Sequence, residues 1–214
     1  MGGTILRHSD WQWHVLALCR SGDPDREPRF HAAARELGVR EYISDLDDSP
    51  ELAPLSEDLI EIKDRVRALP VREFDLIFTH GPGGEYSHPR HAQTHQAVRD
   101  LIAQGGLTGA LVVFAYQDFG GAARPLPIGG ARIVINLTPD EFRRKQRIVR
   151  GIYNLGPGSF ELESAGPVEA FNADDTAQTR VIRNTEPLVI PNAVRNLLSC
   201  ECREKQIPRR APSE

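Results

Sequence analysis

Phe74-Asp75-Leu76-Ile77-Phe78-Thr79 is a short, mostly apolar run that ends in a loop rich in turn residues, His80-Gly81-Pro82-Gly83-Gly84, and a helical stretch from Pro89 to Gln104 follows. A run of this length bounded by Gly and Pro reads as a buried strand. Pro89 suits the first turn of a helix and disfavours helical geometry at the residue before it, so His88 belongs to the loop. The unit is strand, loop, helix.

The same order recurs on both sides of it. Upstream, His14 to Cys19 is a strand closed by the turn Ser21-Gly22-Asp23-Pro24, and Arg26 to Leu37 is a helix with Phe30, Ala33, Ala34 and Leu37 on one face and Gly38 as its stop. Glu41 to Ile43 is a further strand, and Ser56 to Leu69 a helix with Leu59, Ile60, Ile62, Val66 and Leu69 as its apolar positions. Downstream, Leu111 to Tyr116 is a strand, Ala131 to Asn136 alternates as an edge strand or hairpin arm does, and Pro139 to Tyr153 is a helix. Alternating strands and helices predict an α/β fold with a mostly parallel sheet covered on both faces. Ligand sites of such sheets lie outside the carboxyl ends of the strands, here the loops after Cys19, Thr79 and Tyr116.

The chain has 214 residues, enough for one sizeable core, and residues 1–171 are read as that domain. Residues 172–214 are polar, with an Arg-rich end, and read as a disordered tail in which Leu188 to Leu198 could dock as a helix. Acidic residues outnumber basic ones by 30 to 26, and no long Lys/Arg run exists to neutralise phosphates, which argues against nucleic acid as a partner. No stretch is long and apolar enough for a membrane span, and the opening residues lack the apolar core of a signal peptide. With three Cys and no disulfide pattern, the expected location is the cytoplasm. Oligomeric state is not legible.

The densest polar cluster is the loop and helix start from Thr79 to His95, which holds four of the seven His. His88 just outside the helix and His91 one turn inside can converge on one point, as a metal ligand and a neighbouring proton donor require. A rival arrangement pairs His91 with His95, four apart on one helix face. The plainer reading is capping and packing, with Tyr86 covering the loop and Gly83 and Gly84 making the turn. No Lys-Ser/Thr ending follows the glycines, so a nucleotide triphosphate cradle is discounted.

Several segments in order give a more specific indication: Gly2-Gly3-Thr4-Ile5, the strand ending at Cys19, Arg26 with Ala33-Ala34 and Leu37-Gly38, Thr79-His80, and Glu85-Tyr86-Ser87-His88-Pro89-Arg90-His91. Ser159-Phe160-Glu161 and Glu169-Ala170-Phe171 complete the set. Together they resemble the LmbE-like (PIG-L) family of zinc-dependent de-N-acetylases. The resemblance implies a Rossmann-like three-layer sandwich and removal of an N-acetyl group from an N-acetylglucosamine-type conjugate or related small molecule. It also implies zinc as cofactor, with His91 as metal ligand, His88 as donor to the leaving amine and Tyr86 as oxyanion donor. Arg26 corresponds to a substrate-binding position, beside the plainer reading of a solvated Arg near a helix cap.

Two departures stand out. Arg90 occupies the place where the family usually has Asp. The family's first strand, ending in His-Pro-Asp-Asp with two further ligands and the general base, lies before the Gly-Gly-Thr and is not in this sequence. His8-Ser9-Asp10 is the nearest substitute, about two turns from where those ligands belong. On this reading the neighbouring strands have an open flank and His91 alone holds zinc weakly. The alternative function is a non-catalytic remnant that binds a sugar through Arg26 and the loop from Gly81 to His88.

Overall fold

The computed structural model describes residues 1–48, 56–117, 125–174 and 192–196. The chain begins with α1 (Gly2–Arg7), β1 (Gln12–Ala17), α2 (Arg26–Leu37), β2 (Arg40–Ile43), α3 (Ser56–Arg67) and β3 (Glu73–Thr79). A short kinked helix, α4 (Gly84–Ser87), leads into α5 (Pro89–Ala103) and β4 (Thr108–Phe114). Then come an antiparallel pair, β5 (Tyr116–Gln117) and β6 (Leu126–Pro127), and the strand β7 (Ile133–Asn136). Helix α6 (Pro139–Arg147) runs into a π-helical turn at Ile148–Ile152, followed by α7 (Phe160–Ser164), β8 (Val168–Ala173) and β9 (Asn192–Asn196).

Local chemistry accounts for the helix ends. Gly38 takes a left-handed φ of 68° after α2, and its amide returns to the carbonyls of Ala34 and Arg35. Thr138 and Glu141 form a capping box at α6, with Pro139 in its first turn. His88 is extended, and its Nδ1 accepts from the backbone amide of Arg90 at 3.3 Å, capping α5.

The seven-stranded sheet has the order β2-β1-β9-β3-β4-β8-β7. The five strands from β2 to β4 are parallel, and β8 runs antiparallel to both β4 and β7. The fold is therefore α/β with a mixed sheet. Successive residues alternate between its faces: Val15, Phe78 and Val112 pack with Phe30 and Leu37 of α2 and with Ile148, whereas Leu16, Ile77 and Leu111 pack with Ile62 of α3 and Leu101 of α5. Helices cover both faces, as the alternating pattern predicts. Among the described residues no helix is long and apolar enough to cross a membrane.

Four expectations need correcting. Ile60 was grouped with the apolar face of α3 but is 60% exposed. The helix from Pro139 to Tyr153 changes to π geometry at Ile148. The strand from Leu111 stops at Phe114, and Tyr116 turns away to pair with Pro127. Residues 192–196, inside the segment read as a docking helix, form β9 and fill the flank expected to lie open between β1 and β3. His14 and Ile77 both stand opposite Val194. Two strands with unused hydrogen-bonding edges outweigh the weak intrinsic preference of Asn-Ala-Val-Arg-Asn. Of the predicted tail, β8 takes in residues to Ala173, and residues 175–191 and 197–214 lie outside the described residues.

Glu169, on β8 and fully buried, ties the first helix to the far side of the sheet. Its carboxylate accepts from the amides of Gly3 (3.1 Å) and Thr4 (2.7 Å) and from Thr4 Oγ1 (2.6 Å). Lys145 Nζ of α6 pairs with it at 2.8 Å. A carboxylate at a helix start meets unpaired N–H groups and the positive end of the dipole. A Cβ at Gly3 would fall 2.3 Å from Leu137 Cδ1, so a larger residue here requires the Leu137 side chain to move aside. Gly-Gly-Thr and Glu-Ala-Phe, far apart in sequence, are thus two halves of one joint.

Candidate functional site

The carboxyl end of β3 delivers Thr79 and His80, and the loop beyond it folds back so that α5 presents His91 to His80. The two imidazole rings stack with centroids 3.7 Å apart. Glu85 lies between them: its Oε2 accepts from Nδ1 of His80 and from Nδ1 of His91, both at 2.8 Å, and its Oε1 accepts from the amide of Gly81 at 2.7 Å. An ionised carboxylate only accepts, so each ring donates Nδ1–H and leaves its Nε2 lone pair for another partner. In His91, 4% exposed, that Nε2 is buried with no hydrogen-bond partner.

The backbone is bent to reach this arrangement. Glu85 sits at φ 55° and ψ −54°, near the geometry of a rare and strained γ-turn, and Ser87 has φ 64°. Gly84, at φ 64°, comes so close to α5 that a Cβ there would meet His91 Cβ at 3.1 Å. The three bonds to the Glu85 carboxylate hold a conformation that local preference disfavours.

Burial alone would raise the Glu85 carboxyl, but hydrogen bonds from His80 and His91 outweigh it and hold the group well below the usual carboxylate range. Burial, reinforced by the neighbouring His80, pushes His91 down to about 3. Its ring is therefore neutral at physiological pH, the form that ligates a metal. His80, Glu85 and His91 each offer a ligand atom within 4.8 Å of one another and form a group that could hold a metal ion. Two imidazoles and a carboxylate are a zinc-type donor set. The buried Nε2 of His91 is an atom that such an ion would satisfy.

The other expected residues fall at different distances from this centre. Tyr86 lines the same cavity, its ring edge-on to His91 at 5.1 Å and to Phe160 at 4.8 Å. Arg26, at the start of α2, also lines it. His88 is buried behind His91, its ring 4.8 Å away and stacked, and is not among the residues described as lining the cavity. Burial lowers its pKa. The rival pairing of His91 with His95 is not the one the structure makes: among the described residues the group that could hold a metal is His80, Glu85 and His91, and His95 Nδ1–H donates to the carbonyl of His80 at 2.9 Å. His95 positions His80.

Arg90 points elsewhere. It is buried against α3, where it pairs with Asp58 and donates to Gln93 Oε1 at 2.8 Å. The sequence reading places no carboxylate on His91, since Arg90 stands before it, and the structure supplies Glu85 instead. Glu85 and His80 were the residues missed as site candidates. The signal for both was a carboxylate between glycines and two histidines, a pattern that becomes a cluster only through the turn at Gly84. His8 and Asp10 are at the amino end of β1, the opposite end of the sheet from His80, with His8 stacked on Trp11 at 4.0 Å.

No protein-family profile matches the chain, and no curated protein matches it. Among solved structures, it is similar to a conserved protein from Thermus thermophilus, with 17% identity over 86% of this chain and 92% of that one and a TM-score of 0.59. That likeness is one of fold. The 4-carboxy-2-hydroxymuconate hydratase GalB from Pseudomonas putida aligns over 88% of this chain and 92% of its own, at 20% identity and a TM-score of 0.49.

Proposed function

We propose that the chain is a Rossmann-like three-layer sandwich of the LmbE-like kind and that its site serves metal-dependent hydrolysis of an N-acyl bond in a small sugar conjugate. The observation that carries this reading is the buried, partnerless Nε2 of His91 in a ring whose Nδ1 is fixed by Glu85. A histidine held on one nitrogen by a carboxylate and presenting the other is the usual construction of a metal-ligating imidazole. His91 and His80 would hold the ion through Nε2, with Glu85 orienting both rings through Nδ1. When bound, zinc supplies a water of lowered pKa and polarises the acyl carbonyl.

The chain's own groups do the rest. Glu85 keeps both rings in the tautomer that exposes Nε2. Tyr86, on the cavity wall, would serve as the hydroxyl donor to an oxyanion. His88 is neutral near pH 7 because burial lowers its pKa, and since its Nδ1 accepts from Arg90 its proton resides on Nε2. It is therefore a neutral N–H donor rather than an imidazolium, and since it stacks on His91 and is not among the residues that line the cavity, it supports His91 in place of meeting the leaving amine. Arg26 provides a cation for the polar part of the substrate.

Metal content after dialysis against zinc and then metal-free buffer tests this. Near-stoichiometric zinc is expected in the unaltered protein and none in His91→Ala. Glu85→Gln should bind roughly 10–100-fold more weakly, as loss of an orienting carboxylate does. Tyr86→Phe should keep its metal and lose up to about 10²–10³ in acetate release from N-acetylglucosamine conjugates. Zinc absent from the unaltered protein, or unchanged in His91→Ala, removes the metal centre and leaves a sugar-binding protein.

A further inference from the structure

The cavity that reaches His80, Glu85 and His91 has a volume of about 320 Å³, at the small end of ligand pockets. An N-acetyl sugar accounts for only part of its wall. Away from the histidines most of the lining is apolar, with Arg20, Lys145, Glu161 and Ser164 as charged or polar exceptions: Val15 and Ala17 come from β1, Ala33, Ala34 and Leu37 from the inner face of α2, and Ile148 stands opposite them. All six belong to the hydrophobic core on this face of the sheet, so the hollow enters the core itself. Sugar hydroxyls placed there would lose water without gaining partners.

The π-helical turn is part of the construction. α6 changes to π geometry at Ile148, and Ile148, Val149 and Tyr153 line the cavity from this turn and its cap. Such turns are frequent at functional sites. An apolar hollow left vacant weakens a fold, and a ligand that fills it restores the lost contacts.

We propose that the substrate carries an acyl group longer than acetyl, with its chain inserted between α2 and the π-helical turn. Its amide then lies at His80, Glu85 and His91, and its polar portion faces Arg26. This rests on the N-acyl hydrolase reading and names the class of substrate: N-acyl amino sugars or similar amphiphiles with a short alkyl chain. One cavity, apolar at depth and ionisable at one side, fits one molecule of matching character.

Calorimetric titration of metal-free protein with N-acetylglucosamine and with N-hexanoylglucosamine tests it without depending on catalysis. Each added methylene should tighten binding about fourfold, the equivalent of ~0.8 kcal/mol, so the hexanoyl compound, four methylenes longer, should bind roughly 200-fold more tightly. Ala33→Leu fills the hollow and should reduce that preference at least tenfold while thermal unfolding shows a folded protein. Val149→Phe, from the opposite wall, should do the same and serves if Ala33→Leu does not fold. Equal affinity for the two sugars, or a preference untouched in both folded variants, overturns the proposal. Hydrolysis is measured separately with zinc added. A retained hexanoyl preference with no acyl release from either sugar overturns the hydrolase reading while leaving the apolar specificity of the cavity standing.

Discussion

Glu169→Ala is expected to lower the stability of the folded chain by about 3–5 kcal/mol, the range for removing one partner of a buried ion pair. The substitution leaves Lys145, 8% exposed, without its carboxylate. The first amides of α1 and the hydroxyl of Thr4 lose their acceptor as well. Against a typical total of 5–15 kcal/mol, a loss of that size removes much of the margin. Urea denaturation followed by tryptophan fluorescence would measure it, since Trp13 is 2% exposed in the adjoining core. Glu169→Gln keeps shape and some hydrogen bonding and should lose less. Equal stability of Glu169→Ala and the unaltered protein would mean that α1 is not held by this joint.

Val194→Pro is the second substitution with a large expected effect, of order 3 kcal/mol, because a proline removes a donor and is tolerated in sheets only at edges and bulges. β9 pairs with β1 on one side and β3 on the other, so there is no solvent-facing side for the ring to occupy. Hydrogen exchange should show the amides of both β1 and β3 losing protection together. A variant that keeps them protected would show that residues 192–196 do not hold the centre of the sheet.

The order of strands and helices was legible because the sequence obeys two simple periods. Leu16 and Ile77 face one layer of helices while Val15 and Phe78 face the other, and a continuous apolar run is what two covered faces require. Pro89 and Gly38 marked helix ends by backbone chemistry that needs no tertiary information. β9 was not legible, since nothing in Asn-Ala-Val-Arg-Asn asks for a strand and the demand comes from its neighbours. The site was half legible. Spacing singled out His91 and the family resemblance Tyr86, which the structure brings to one cavity, while Glu85 gained its place from a left-handed turn and His95 turned out to position His80 through its carbonyl. Both outcomes depend on long-range geometry that one-dimensional spacing does not contain.

The place of β9 also sets the order in which the protein can be made. Trp13 has Ala193 as its neighbour, so the two halves of the sheet, β2 with β1 and β3 with β4, cannot join until the C-terminal segment has left the ribosome. Domains generally begin folding from the N-terminus during synthesis, and here that process stalls at two half-sheets, each with an unsatisfied edge. Contacts so distant in sequence also slow closure after release. For this chain the hazard period is nascent: the strand edges wait until residues 192–196 emerge, and a holdase that shields β1 and β3 in that interval should raise its soluble yield more than any change to the finished surface.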